Sequence, residues 1–192
     1  MKTTIVALIG ISIALNSFGQ GQFSFQNANV SAQRITTNAL ANPGGTVGSM
    51  AGASNYQFQV FYGPNASSMT NASQVFFNGS TAGLISGGTI TLVAGYPALS
   101  PVGALQAFGW STGLTLAQAQ STPGAFWGSS TIISPTPADP LAPLFNLFTS
   151  TASSTQFSGF VLNVVPVPEP STMVLAGLGA ASLLLFRRRK QA

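Results

Sequence analysis

Two carboxylates, Asp139 and Glu169, are the only acidic side chains among 192 residues, and the chain contains neither histidine nor cysteine. Its six basic residues are Lys2, Arg34 and the block Arg187, Arg188, Arg189 and Lys190. This inventory excludes most catalysis. A serine nucleophile needs a His or Lys base to activate it, and none stands between Lys2 and Lys190. Glycoside hydrolysis in its usual form uses two carboxylates about 5 to 10 Å apart, and here one carboxylate lies in the central stretch and the other in the C-terminal one. Zinc needs several His, Cys or carboxylate ligands, which cannot be assembled. Calcium on Asp139 and backbone carbonyls would be weakly held. Lying between Pro137 and Pro140, Asp139 reads more simply as a turn residue. The reading is therefore of a protein that is not an enzyme, with no catalytic residue, metal or cofactor assigned.

Glu169 belongs to a differently organised stretch, VPVPEPSTMVLAGLGAASLLLFRRRKQA, from Val165 to Ala192. Pro166, Pro168 and Pro170 fix φ and remove backbone donors, so the segment around Glu169 is expected to be extended and exposed. From Ser171 to Phe186 no charge interrupts the chain, and Leu175, Leu178, Leu183, Leu184, Leu185 and Phe186 make it a transmembrane helix candidate. Arg187, Arg188, Arg189 and Lys190 then halt it and favour the cytoplasmic side, so everything before Ser171 faces outward. Sixteen residues rise roughly 24 Å, short of the roughly 30 Å hydrocarbon core. Snorkelling by Arg187 and local thinning of the bilayer can close that gap.

Val167-Pro168-Glu169-Pro170-Ser171-Thr172, followed by the apolar helix and the arginine cluster, resembles the PEP-CTERM sorting signal. The resemblance implies a substrate of an exosortase, a membrane-embedded cysteine protease or transpeptidase of Gram-negative bacteria that also make exopolysaccharide. It also implies processing near Glu169, with Pro168 and Pro170 holding that residue extended. The competing reading is a stop-transfer anchor that is never cut. The central stretch resembles short β-rich proteins bearing the same signal, in Phe23-Ser24-Phe25-Gln26-Asn27, Gln59-Val60-Phe61-Tyr62-Gly63-Pro64 and Leu105-Gln106-Ala107-Phe108-Gly109-Trp110.

At the other end, Met1-Lys2 supplies a positive start, Ile5 to Leu15 an apolar run and Asn16 to Gly21 a small polar segment, the pattern of a secretory signal peptide over residues 1–19. Ser17 and Gly19 suit a signal peptidase cut before Gln20, and Gly19 and Gly21 would allow one before Gln22. Eleven apolar residues are too few for a spanning helix. Export through the Sec translocon, with a transient inner-membrane hairpin, follows from both ends being held inside. Without the two ends the chain keeps one cation, Arg34, and one anion, Asp139. The formal charge of +4 thus reports topology, and no basic patch exists to bind nucleic acid. Arg34 is expected alone at the surface rather than paired with Asp139, because nothing in the sequence brings the two together.

Residues 20–165 read as one exported domain of short aromatic and β-branched runs punctuated by Gly, Asn, Pro and Ser. Strands are expected at Gln22 to Asn27, Tyr56 to Tyr62, Val75 to Phe77, Leu84 to Ser86, Thr89 to Val93, Gly103 to Trp110 and Gln156 to Val165, with a brief pairing at Ile132 and Ile133. Ala41 to Asn55 reads as a glycine-rich connection, and Leu114 to Gln120 as a short helix stopped by Pro123. Seven or eight strands with almost no helix predict an all-β fold, an antiparallel β-sandwich, with a jelly roll or open barrel as the alternative. Without cysteine, its stability must come from burial and hydrogen bonds.

Trp110 and Trp127, with Tyr56, Tyr62 and Tyr96, suit either core packing or a platform for stacking neutral sugars. Asn29, Asn65, Asn71 and Asn78 each begin an Asn-x-Ser triplet and are read as loop markers. The functional expectation is a cell-envelope or extracellular matrix protein, structural in exopolysaccharide or biofilm. The alternative is a carbohydrate-binding module or adhesin with contacts at Trp110 and Trp127.

Overall fold

The computed structural model describes residues 20–28, 31–37, 48–49 and 54–167. The segments read as signal peptide, transmembrane helix and basic cluster lie outside the described residues. The regular structure of the described residues is mostly β, with twelve strands, one 3-10 turn at Ser31–Gln33 and one short α-helix.

Its centre is the pair of eight-residue strands β4 (Tyr56–Gly63) and β9 (Ala104–Ser111), antiparallel along their whole length, with Val60 opposite Ala107. Alternation decides which face each presents. Phe58, Val60 and Tyr62 of β4 and Leu105 and Ala107 of β9 are buried on one side. Gln57, Gln59 and Phe61 of β4 and Gln106 and Phe108 of β9 fall on the other.

The strands flanking this pair both break at a serine. Beside β4, Phe58 pairs with Phe76 and Phe61 with Ala72, so residues 73–75 face only residues 59–60. Ser73 fills that bulge. Its Oγ accepts from the Val60 N–H at 3.0 Å and donates to the Gln74 carbonyl at 2.8 Å. Its N–H donates to the Val60 carbonyl at 2.8 Å, and Gln59 Nε2 donates to the Ser73 carbonyl at 2.6 Å. Ser130 repeats all four bonds beside β9. Its Oγ accepts from the Ala107 N–H at 3.0 Å and donates to the Thr131 carbonyl at 2.8 Å. Its N–H donates to the Ala107 carbonyl at 2.9 Å, and Gln106 Nε2 donates to the Ser130 carbonyl at 2.8 Å. A local two-fold axis therefore passes through the Val60–Ala107 pair and relates Gln59-Val60-Phe61 to Gln106-Ala107-Phe108. Across it Phe61 and Phe108 meet edge to face, ring centroids 5.4 Å apart. The bulges turn out Val75 and its counterpart Ile132, 40% and 46% exposed.

Around this centre the larger sheet runs β3 (Gly48–Ser49), β2 (Thr36–Thr37), β12 (Val161–Val164), β10 (Phe126–Ser129), β9, β4, β6 (Phe76–Asn78) and β7 (Ile85–Ser86), with β5 (Asn71–Ala72) also on β4. A three-stranded sheet, β11 (Phe145–Asn146), β1 (Gln22–Phe25) and β8 (Gly88–Thr91), shares the same core. Phe25 of β1 meets Phe76 of β6 at 5.1 Å and Phe148 at 5.4 Å. The chain crosses between sheets at Gly87, where a Cβ would lie 1.7 Å from the Phe25 carbonyl oxygen. Only glycine permits that approach.

Several expectations change. Pairing is not wholly antiparallel: β1 and β11 run parallel, as do β12 and β2. Both involve two-residue strands that reach the sheet through long connections, where no hairpin imposes direction. The stretch read as a glycine-rich connection contains β3. Asn71 and Asn78 lie in strands rather than loops, and Asn78 is 2% exposed, its Oδ1 accepting from the Tyr56 N–H at 2.8 Å. Asn65 does mark a turn, and Asn29 lies outside the described residues. Arg34 is half-buried between the Gly83 turn and Gly159 rather than on the surface. Asp139 is a turn residue, its Oδ1 accepting from the Leu141 N–H at 2.8 Å.

The buried amide of Asn27 joins three segments. Its Nδ2 donates to the carbonyls of Gln33 and Gly83, and its Oδ1 accepts from the Ile85 N–H, each at 2.8 Å. Truncation orphans all three groups, so Asn27→Ala should cost about 2 to 4 kcal/mol. Chemical denaturation of the mature protein measures this, and a midpoint equal to wild type would contradict the keystone role.

Candidate functional site

Two regions could carry function: the point where the chain leaves the sheet toward Glu169, and the outer face of β4 and β9. At the first, β12 lies inside the large sheet, with Val164 opposite Phe126 and Val161 beside Thr36. One further pair of bonds follows, from the Val165 N–H to the Ala125 carbonyl at 2.8 Å and from the Gly124 N–H to the Val165 carbonyl at 2.9 Å. Gly124 has φ of +81°, which lets the Pro123-Gly124 turn return its N–H to the departing strand. Pro166 and Val167 are then exposed. The proline-rich segment thus follows the sheet without a linker. Of the residues singled out there, Val167 is described; Pro168, Glu169, Pro170, Ser171, Thr172 and the basic cluster Arg187, Arg188, Arg189 and Lys190 lie outside the described residues. Among the described residues no helix is long and apolar enough to cross a membrane.

On the outer face, register aligns Phe77, Gln57, Trp110, Trp127 and Asn163 across five strands. Trp110 and Trp127 are therefore direct cross-strand neighbours. Their surroundings differ. Trp110 is 4% exposed, packed in a small cluster with Ala119 and Ala125, and its Nε1 donates to the Leu114 carbonyl at 2.8 Å. Trp127 is half-buried beside it. The tyrosines do not gather with them: Tyr62 is fully buried on the opposite face, its hydroxyl accepting from the Val93 N–H at 3.0 Å, with Tyr96 edge-on at 5.2 Å.

The cover over Trp110 is α1 (Leu116–Ser121), which sits in the β9–β10 connection. Its start is set by a capping box: Thr115 Oγ1 accepts from the Gln118 N–H at 3.2 Å, and Gln118 Oε1 accepts from the Thr115 N–H at 2.9 Å. Between α1 and β4 lies a groove of about 570 Å³ whose lining includes Gln57, Gln59, Phe61, Val75, Trp110 and Leu116. No charged side chain lines it. Gln57 Nε2 donates to the Leu114 carbonyl and Gln59 Nε2 to the Ser73 carbonyl, so both amides are held in place. Sequence reading did not find this groove. Its only signal was the pair Gln57 and Gln59 on the polar face of β4, together with the short helical run that follows β9.

The PEP-CTERM protein-sorting motif matches residues 166–190. That motif is the C-terminal sorting signal of exosortase substrates, and it marks the chain as exported and transiently membrane-anchored before processing. The match begins one residue after the last bonded residue of the sheet, Val165. No curated protein and no solved structure matches the chain.

Burial pushes the phenols of Tyr56 and Tyr62 above their ordinary pKa; for Tyr62 the Val93 N–H opposes the shift and the Tyr96 phenol adds to it. Unfolded tyrosines lose their protons near pH 10, before these folded ones do, so ionisation favours unfolding. The denaturation midpoint of the mature protein should stay level from about pH 6 to about 9 and fall above about 10. A steep fall already between pH 6 and 9 would contradict this.

Proposed function

We propose that the protein is exported through the Sec route after removal of residues 1–19 by signal peptidase and is held in the inner membrane by residues 171–186. An exosortase then processes it near Pro168-Glu169-Pro170, and it is released as a passive structural component of the cell envelope or an extracellular polysaccharide matrix. The observation that carries this reading is the sorting motif over residues 166–190. Its order of parts has a physical logic. The prolines of the handle withhold backbone donors that a helix or sheet would use, and a single carboxylate among them offers a protease one charged point of recognition.

A structural role is supported by what residues 20–165 contain. With one acid, Asp139, and one base, Arg34, they have little electrostatic protection against association, and they hold no His, Lys or Cys. Hydroxyl and amide side chains remain for hydrogen bonding to hydrated polymer. The linker-free exit at Val165 means that cleavage near Glu169 would leave a folded body with only a few residues trailing from β12.

In producing cells, Glu169→Ala should leave export intact and block maturation, so that the exported form retains its C-terminal tail. Immunoblotting of envelope and medium fractions reads this directly. Processing at the wild-type extent would sink the assignment of Glu169 as the recognition residue.

A further inference from the structure

We propose that the groove between α1 and the outer face of β4 binds a segment of neutral polysaccharide, an inference that rests on the matrix reading above and gives it a site. The first reason is the way the fold departs from its own symmetry. The two halves related through Val60 and Ala107 share strands, serine bulges and glutamine bonds, yet only the second carries a helix in its connection. That helix turns one half of an otherwise open face into a walled groove.

The second reason is chemical. Gln57 and Gln59 each spend Nε2 on a main-chain carbonyl, which fixes the amide and leaves Oε1 as an acceptor for ligand hydroxyls. Phe61, Val75 and Leu116 supply ring and aliphatic surface for the C–H faces of sugar rings. Fixed amides beside apolar surface, in a volume of about 570 Å³, match the general make-up of ligand clefts.

Charge selects among possible occupants. The lining offers no cation to an acidic polymer, which would lose hydration without a counter-charge. A peptide or second copy adding as a strand would need free backbone groups, and β4 is flanked on both sides, by β9 and by β5 and β6. A neutral glycan needs neither.

The test uses mature protein recovered from producing cells, with calorimetric titration of β-1,4-linked gluco- and manno-hexasaccharides and of polygalacturonate. Ala117 is exposed and lines the groove, so Ala117→Arg should fill it without disturbing the fold, checked by an unchanged denaturation midpoint. The expected result is saturable binding of at least one neutral hexasaccharide, weakened at least about tenfold by Ala117→Arg. Undiminished binding by that variant, binding of polygalacturonate alone, or no binding of either neutral probe would overturn the proposal. So would self-association in sedimentation that Ala117→Arg abolishes, because the occupant would then be a second copy. Intact mass of the same samples separates the two readings: failed binding with normal maturation removes the groove alone, whereas failed maturation removes the sorting reading.

Discussion

The structure is governed by a shortage of charge. Between the segment read as signal peptide and the sorting motif stand one arginine and one aspartate, and no cysteine can cross-link the chain. Cohesion therefore rests on apolar burial and neutral hydrogen bonds. The first is supplied by phenylalanines that lock the two sheets together, with Phe25 in ring contact with Phe76, Phe148 and Phe157, and Phe148 with Phe157. The second is supplied by short polar side chains turned onto backbone. Ser73, Ser130, Asn27 and Asn78 are buried, and each satisfies main-chain groups that strand pairing leaves over. In a core of low dielectric such bonds must be complete, because an orphaned group costs more than the bond contributes.

The β4–β9 pair passes this constraint on to function. Its inner face is aliphatic and aromatic, and its outer face carries glutamines that fasten the serine bulges on either side. The same residues that close the fold thus line its surface, and that surface is uncharged. With α1 set over Trp110, the face becomes a groove on one side of the local axis. At the far end of the sheet β12 leads straight into the sorting motif, so the described body is folded up to the residue before that motif begins.

Much of this was legible in the sequence, for identifiable reasons. Strict alternation over Tyr56 to Tyr62 and through Leu105 and Ala107 shows β4 and β9, and Pro123 shows where α1 must end. The sorting motif is legible because proline, carboxylate, apolar run and arginines follow one another in a fixed order. What was not legible depends on partners distant in the chain. Strand β10 holds Gly128 in its interior, which breaks the apolar run in sequence but is needed where a Cβ would lie 2.1 Å from the Val161 carbonyl oxygen, and two-residue strands such as β2 and β11 exist only through the neighbours they pair with. Asn78 lies before a glycine, as a turn residue would, yet it is buried because Tyr56 needs its amide. Trp110 and Trp127 are cross-strand neighbours, and the burial of Trp110 depends on a helix whose packing direction no local pattern encodes. The repeat that relates Ser73 to Ser130 is carried by hydrogen bonds rather than by sequence identity.

The measurement that bears most directly on the central claim is the intact mass of the protein recovered from envelope and medium fractions of producing cells. A mass that begins near Gln20 and ends near Pro170, without Arg187 to Lys190, is the expected result. A mass that retains Arg187 to Lys190, confined to the membrane fraction, would describe a permanent anchor and contradict processing by an exosortase.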